Sequence, residues 1–141
     1  DFPDPSNFSI GKLYSTMFYT LLKKVLNPDG VAVVQSTSPF VAPKSFWCIN
    51  NTIQSAGFFT KPYHNYVPSF GEWGYIIASI NPNLHWFTAY PAGLKFLNQA
   101  VTQQMFIFPQ DMQYNKPIPV NKLNNQVLVG YFEEEWDKYS D

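Results

Sequence analysis

The sequence contains no arginine. That removes the bidentate guanidinium fork with which proteins often clamp phosphate, and it argues against nucleic acid as a partner. A single cysteine, Cys48, excludes an internal disulfide framework and any C-x-x-C metal site. No stretch approaches the roughly 20 apolar residues that span a bilayer. The glycine-rich phosphate signatures are missing as well, with no G-x-G-x-x-G and no P-loop. There is no G-x-S-x-G elbow, so Ser36 and Ser38 are not read as nucleophiles. No signal peptide is visible.

What is present is a globular composition. The 141 residues are 45% hydrophobic and only 13% charged, with a formal net charge of −1, which suits one domain with a real core. Aromatic residues make up 18% of the chain, a high share; most of these rings are expected in the core and some are expected to line a pocket or an interface.

The chain is organised around Asp1-Phe2-Pro3-Asp4-Pro5. Proline fixes φ and biases the residue before it away from helix, so this segment is an extended turn presenting two acids. Ser6, Asn7 and Ser9 then offer cap oxygens ahead of an amphipathic helix over residues 10–26. An acidic turn between a strand and a helix is where open α/β sheets hold ligands. The strand that should precede the turn is missing and no initiator methionine stands before it. The sequence therefore reads as part of a longer protein whose functional edge is residue 1.

Asn27-Pro28-Asp29-Gly30 stops the first helix. Val31-Ala32-Val33-Val34 is a continuous apolar run and predicts a strand buried on both faces, as in a parallel sheet. Gln35 ends it. A helix is expected from about Pro43 to Ala56, with Gly57 as its stop. Strands are expected from Phe58 to Tyr66 and from Trp73 to Ile80, paired as an antiparallel hairpin at one edge. Beyond Asn81-Pro82-Asn83, residues 91–106 read as helix in one or two short pieces and 109–119 as irregular; Asn124 or Asn125 caps a last helix through Trp136, with a strand at Val127-Leu128-Val129-Gly130-Tyr131 as the alternative. This alternation predicts an α/β fold with helices on the faces of the sheet. The division is 1–82 for the catalytic sheet and 83–141 for a mostly helical extension packed on it.

Asp1 and Asp4 are the strongest candidates for chemistry. Two acids at a strand's carboxyl edge attract a diamine and can take its proton. The competing reading makes Asp4 a turn cap and Asp1 an ordinary terminal residue. Gln35 would sit beside the acidic turn in a parallel sheet and is a candidate amine ligand. Pro68-Ser69-Phe70-Gly71-Glu72-Trp73 is a hairpin turn carrying rings on either side of a glycine and an acid. His64 and His85 have no partner ligands at metal spacing and read as polar or packing residues. Cys48, among Phe46, Trp47 and Ile49, reads as a buried small hydrophobe, and Glu133-Glu134-Glu135 as a solvated face.

Taken together, Asp1-Phe2-Pro3-Asp4-Pro5, Lys12-Leu13-Tyr14-Ser15, Val33-Val34-Gln35-Ser36 and Val67-Pro68-Ser69-Phe70-Gly71-Glu72-Trp73-Gly74 resemble the second half of the polyamine aminopropyltransferases, the spermidine synthase family. The tail, through Leu123-Asn124-Asn125-Gln126-Val127-Leu128-Val129 and Tyr131-Phe132-Glu133-Glu134-Glu135-Trp136, resembles that family's larger, membrane-anchored bacterial branch.

The resemblance implies the C-terminal half of a Rossmann-like, methyltransferase-type sheet with an antiparallel edge hairpin. It implies aminopropyl transfer from decarboxylated S-adenosylmethionine, a co-substrate and not a cofactor, to putrescine. No metal is implied. By position, Asp1 matches the acid that deprotonates the attacking amine and Asp4 the acid that anchors the diamine. Gln35 matches a glutamine near the amine. Phe70 stands where many members carry a tyrosine, so the ring is kept and its hydroxyl lost. Pro5 and Leu13 lie where the family meets the adenine. The partners implied are a diamine, a nucleotide co-substrate, a second copy in a homodimer, and the missing N-terminal half with its glycine-rich loop. This chain is expected to be soluble and, alone, neither to bind the nucleotide nor to turn over. Membrane helices upstream, with the site on the cytoplasmic side, fit that branch. The competing readings are a non-catalytic packing or dimerisation module and a methyltransferase fragment, the latter disfavoured by the D-x-x-D-P acids.

Overall fold

The computed structural model describes residues 2–83 and 89–140. Asp1, and with it the proposed base, lies outside the described residues, as does His85.

The helix expected over residues 10–26 forms in pieces. Asn7 caps α1 (Phe8–Gly11) by accepting the Ile10 amide at 3.0 Å, and a 3-10 turn follows at Lys12–Tyr14. Ser15 then adopts an extended conformation, donates its hydroxyl to the Lys12 carbonyl and accepts the Phe18 amide, starting α2 (Thr16–Val25) afresh. Serine competes with the helix for backbone partners in this way, and a cap residue in mid-pattern is the sequence mark of the break.

Among the described residues three strands form one sheet: β1 (Val31–Gln35), β2 (Phe59–Val67) and β3 (Gly71–Ser79), in the order β1-β3-β2. The β2–β3 hairpin forms as expected, with Tyr63 opposite Tyr75 and Val67 opposite Gly71. Pro62 sits within β2, tolerable because β2 is an edge strand and the missing amide takes nothing from the ladder. The turn closes through the Phe70 amide on the Val67 carbonyl, and Gly71 takes a φ of 78°, open to glycine.

The expectation for β1 is corrected. It pairs antiparallel with β3, Val33 opposite Ile77 and Gln35 opposite Tyr75, and the described residues contain no parallel pair. It is not buried on both faces, since Val31 and Val33 are 44% and 56% exposed. Ala32 and Val34 occupy the other face, toward Phe18 and Leu22 of α2. A continuous apolar run shows that both faces are apolar; it does not show that both are covered within the same stretch of chain.

Behind the sheet lies α3 (Pro43–Ser55), whose Phe46, Ile49 and Ile53 are fully buried with Tyr14, Tyr19, Ile76 and Leu128. Each such side chain contributes on the order of 1.5–3 kcal/mol through burial. The helix expected over residues 91–106 forms only as α4 (Gln99–Met105), and the last helix, α5 (Val127–Ser140), starts later and runs further than expected. α5 packs on α3 and α1. None of the described helices is long and apolar enough to cross a membrane.

Glu135 corrects the reading of the acidic triplet as a solvated face. Ala42, at the N-terminus of α3, offers no side-chain cap. The Glu135 carboxylate takes its place, accepting the Lys44 and Ser45 amides at 2.8 and 2.9 Å and the Ser45 hydroxyl at 2.6 Å. Only Glu133 and Glu134 face solvent, Glu134 paired with Lys138.

Candidate active site

The acidic turn is held from within. Pro5 is fully buried, and the Ser6 amide closes a tight turn on the Asp4 carbonyl at 2.7 Å. The Tyr14 hydroxyl donates to the Pro3 carbonyl at 3.0 Å. Phe2 stands edge-on to Tyr14 and Phe18, with ring centroids 6.4 and 5.3 Å away. Phe2 is thus an anchor that keeps the segment against the core.

Asp4 is half-buried. Among the described residues, its Oδ1 is enclosed with no hydrogen-bond partner. Loss of water around the carboxylate raises its pKa from 3.8 to about 6. A buried, unpartnered carboxylate is costly unless a cationic partner or donor completes it, and functional sites are where such groups collect.

A cavity of about 180 Å³ joins the turn to the sheet. It is lined by Phe2 of the acidic turn, Phe18 and Leu22 of α2, and β1 residues ending in Gln35. Phe2 and Gln35 thus share one opening, whereas Asp4 is not among the described residues lining it. Beyond Gln35 the ladder continues through the Ser36 amide on the Gly74 carbonyl and the Gly74 amide on the Thr37 carbonyl, 2.9 and 2.7 Å. Thr37, at φ 56°, is buried and accepts Trp136 Nε1 on its hydroxyl. These bonds fix the loop that leaves Gln35.

Leu13 is half-buried in the 3-10 turn and packs on the core. Phe70 does not line this cavity. It is 65% exposed on the β2–β3 turn with its ring 5.3 Å from Trp73, at the same end of the sheet as Gln35. His64 is held between the Glu72 carboxylate and the Ile107 carbonyl and is tilted against Phe108. Glu72 thus serves the hairpin, while Cys48 is buried, 3.4 Å from the Pro119 carbonyl. A larger cavity of about 420 Å³, between Trp47, Phe106, Phe108 and Tyr114, has no carboxylate and no candidate residue among the described residues that line it. No cluster of three metal-ligating side chains occurs among the described residues.

Sequence reasoning missed Tyr14, Thr37 and Asn121 as supports of the site. Tyr14 had a signal, a polar aromatic on the inward face of the helical pattern; Thr37 and Asn121 sit in irregular chain, where periodicity carries no information.

Comparison with solved structures defines the class. The fold matches spermidine synthase from Thermotoga maritima with a TM-score of 0.53 and 21% identity, over 69% of this chain and 36% of that one. A spermidine synthase in complex with the transition state analogue AdoDATO matches equally well, over 69% of this chain and 37% of that one. The chain is thus an α/β unit of the methyltransferase-like type.

Residues 1–89 match the spermine/spermidine synthase domain. The chain is 50% identical over its whole length to a polyamine aminopropyltransferase from Leptospira interrogans, of which it covers 28%. It is 52% identical over 139 residues to polyamine aminopropyltransferase 2 of Ralstonia nicotianae, with 96% of this chain and 27% of the relative covered. It belongs to the spermine/spermidine synthase family, and it spans a little over a quarter of the length of these relatives.

Proposed function

We propose that the longer protein represented by this chain transfers an aminopropyl group from decarboxylated S-adenosylmethionine to putrescine, giving spermidine and methylthioadenosine. The observation that carries this reading is the half-buried Asp4 carboxylate, unpartnered among the described residues, in a turn whose neighbouring cavity also reaches Gln35.

A free amine of pKa about 10 is almost wholly protonated at neutral pH and is then no nucleophile. Asp4 binds the distal ammonium and fixes the diamine's reach. Asp1 takes the proton from the attacking nitrogen as its lone pair forms the new C–N bond. The C–S bond of the sulfonium breaks, and its electron pair stays on sulfur as the neutral thioether. Alignment of nitrogen and carbon by two fixed acids supplies a large part of such a rate enhancement. Gln35 orients the amine from the sheet side. Phe70 offers a ring without a hydroxyl, and Pro5 and Leu13 border the adenine.

The remaining wall of the site belongs to the sequence upstream, consistent with coverage of only 28% of a relative. This chain alone neither binds the nucleotide nor turns over. The test is an assay of the full-length protein for spermidine formation, with Asp1→Asn and Asp4→Asn. Asp1→Asn abolishes turnover, and Asp4→Asn raises KM for putrescine. Wild-type protein that methylated an amine and ignored putrescine would overturn the reading.

A further inference from the structure

We infer that Tyr14 is a positioning residue for the acidic turn, and that Asn121, from the tail beyond the matched synthase domain, holds Tyr14 in place for that task. The inference rests on the reading of Asp1 and Asp4 given above.

Tyr14 is 1% exposed, yet its hydroxyl reaches the Pro3 carbonyl at 3.0 Å, between the two acids in sequence and next to Asp4. Pro3 and Pro5 have no amide hydrogens, so the segment has few backbone donors with which to fix itself. A side-chain donor on that carbonyl supplies what the prolines took away. The donor is dependable, because burial, and then the Asp4 carboxylate, push Tyr14 ionisation well above its ordinary range. Tyr14 remains a neutral O–H at any working pH.

Tyr14 is itself held by a residue far along the chain. Asn121 is fully buried, and its Nδ2 donates to the Gly11 and Tyr14 carbonyls at 3.0 and 3.1 Å. Its Oδ1 accepts the Leu128 amide, its own amide donates to the Thr52 hydroxyl at 2.9 Å, and its carbonyl accepts the Thr16 amide at 2.9 Å. One side chain and its peptide groups thereby join α1, α2, α3 and α5 at the point where the 3-10 turn ends. The order of support runs from Asn121 to the Tyr14 backbone, from the Tyr14 hydroxyl to Pro3, and from Pro3 to the acids on either side. The match to the spermine/spermidine synthase domain ends at residue 89, so this support comes from chain beyond that domain match.

The test uses full-length protein with Tyr14→Phe, which keeps the ring and removes the hydroxyl, and Asn121→Asp, which keeps the shape and removes the two side-chain donors. For Tyr14→Phe, kcat falls on the order of tenfold, as expected for reacting groups that lose fixed alignment. The acid limb of the pH profile moves down, because a loosened turn returns water to Asp4. Amide exchange over residues 2–6 accelerates while the rest of the core stays protected. Asn121→Asp shifts all three readouts in the same direction; should it fail to fold, Tyr14→Phe decides alone. Wild-type kcat, pH profile and exchange in Tyr14→Phe would overturn the inference. If the wild-type protein shows no aminopropyl transfer, the reading of the reaction fails, and exchange over residues 2–6 still decides whether Tyr14 holds the turn.

Discussion

The Glu135 carboxylate closes the N-terminus of α3 through Ser45, a residue 90 positions earlier in the chain, with Oε2 accepting both the Ser45 amide and hydroxyl. A helix N-terminus exposes unsatisfied amides and a partial positive charge, so a carboxylate there is doubly favourable. Glu135→Ala is expected to lower stability by about 1–2 kcal/mol, the range for losing a good cap. Urea unfolding of the full-length variant measures it. Glu134→Ala, one residue away on an exposed pair with Lys138, should leave the midpoint unchanged.

Gly74 has a steric reason to be glycine. A Cβ there would stand 2.5 Å from the Phe46 ring and 2.8 Å from the Thr37 carbonyl oxygen. The ring can shift at a cost; the backbone oxygen, which accepts the Gly74 amide, cannot shift without breaking the ladder beyond Gln35. Gly74→Ala is expected to destabilise the protein by about 2–3 kcal/mol, at the upper end of overpacking costs. Adding Phe46→Leu should recover only part of this, because the clash with Thr37 remains. Thermal unfolding of the single and double variants separates the two contributions.

Local chemistry made some of this fold legible. Pro68 and Gly71 marked the hairpin turn, Pro43 and Gly57 bracketed α3, and Gln35 was correctly placed at the end of its strand. The misreadings share a cause. Val31 and Val33 were apolar, but burial depends on what packs over them, which no periodicity records. Ser15 interrupted a helical pattern whose apolar residues ran straight through it. Glu135 looked like its two neighbours, and only the packing of α5 on α3 singles it out as a cap. In the candidate site, the acidic turn and Gln35 were visible as motifs. Of their scaffold, Tyr14 carried a signal on the inward face of the helical pattern, but Thr37 and Asn121 did not, because buried polar residues in irregular chain have no characteristic spacing.

Cys48 should be chemically silent. Burial, the largest influence on it, pushes its thiol up to about 12, and the thiolate is the form that reacts. Its side chain is fully buried, in the core cluster that also holds Tyr14, Tyr19 and Leu128. Labelling of folded protein by a thiol reagent should therefore proceed only through opening of the core. The rate should rise with urea in step with unfolding. Rapid stoichiometric labelling in native buffer would show that the site opens at little cost.

Asp4 makes a prediction whose sign is fixed by the direction of its shift. Its carboxyl is raised from 3.8 to about 6 in the folded protein, through burial. Below pH 3.8 it is protonated in both folded and unfolded chains and costs nothing. Between 3.8 and about 6 the unfolded chain gives up the proton while the folded one keeps it, so stability falls as pH rises. Above about 6 the folded chain carries the half-buried charge and the penalty is complete. Asp4→Asn should therefore leave stability unchanged near pH 3.5 and raise it by about 1–2 kcal/mol at pH 7.5, after allowance for the carboxyl's partial exposure. On the proposed function, the same substitution should raise KM for the diamine, since a neutral amide cannot neutralise an ammonium. A variant more stable at neutral pH and poorer at binding amine is the signature of a charge kept for its ligand. Denaturant titrations at the two pH values, set beside putrescine kinetics of the full-length protein, test both halves. Lower stability of Asp4→Asn at pH 7.5 would mean that the carboxylate is a structural partner within the turn, and the assignment of Asp4 as the amine anchor would fall.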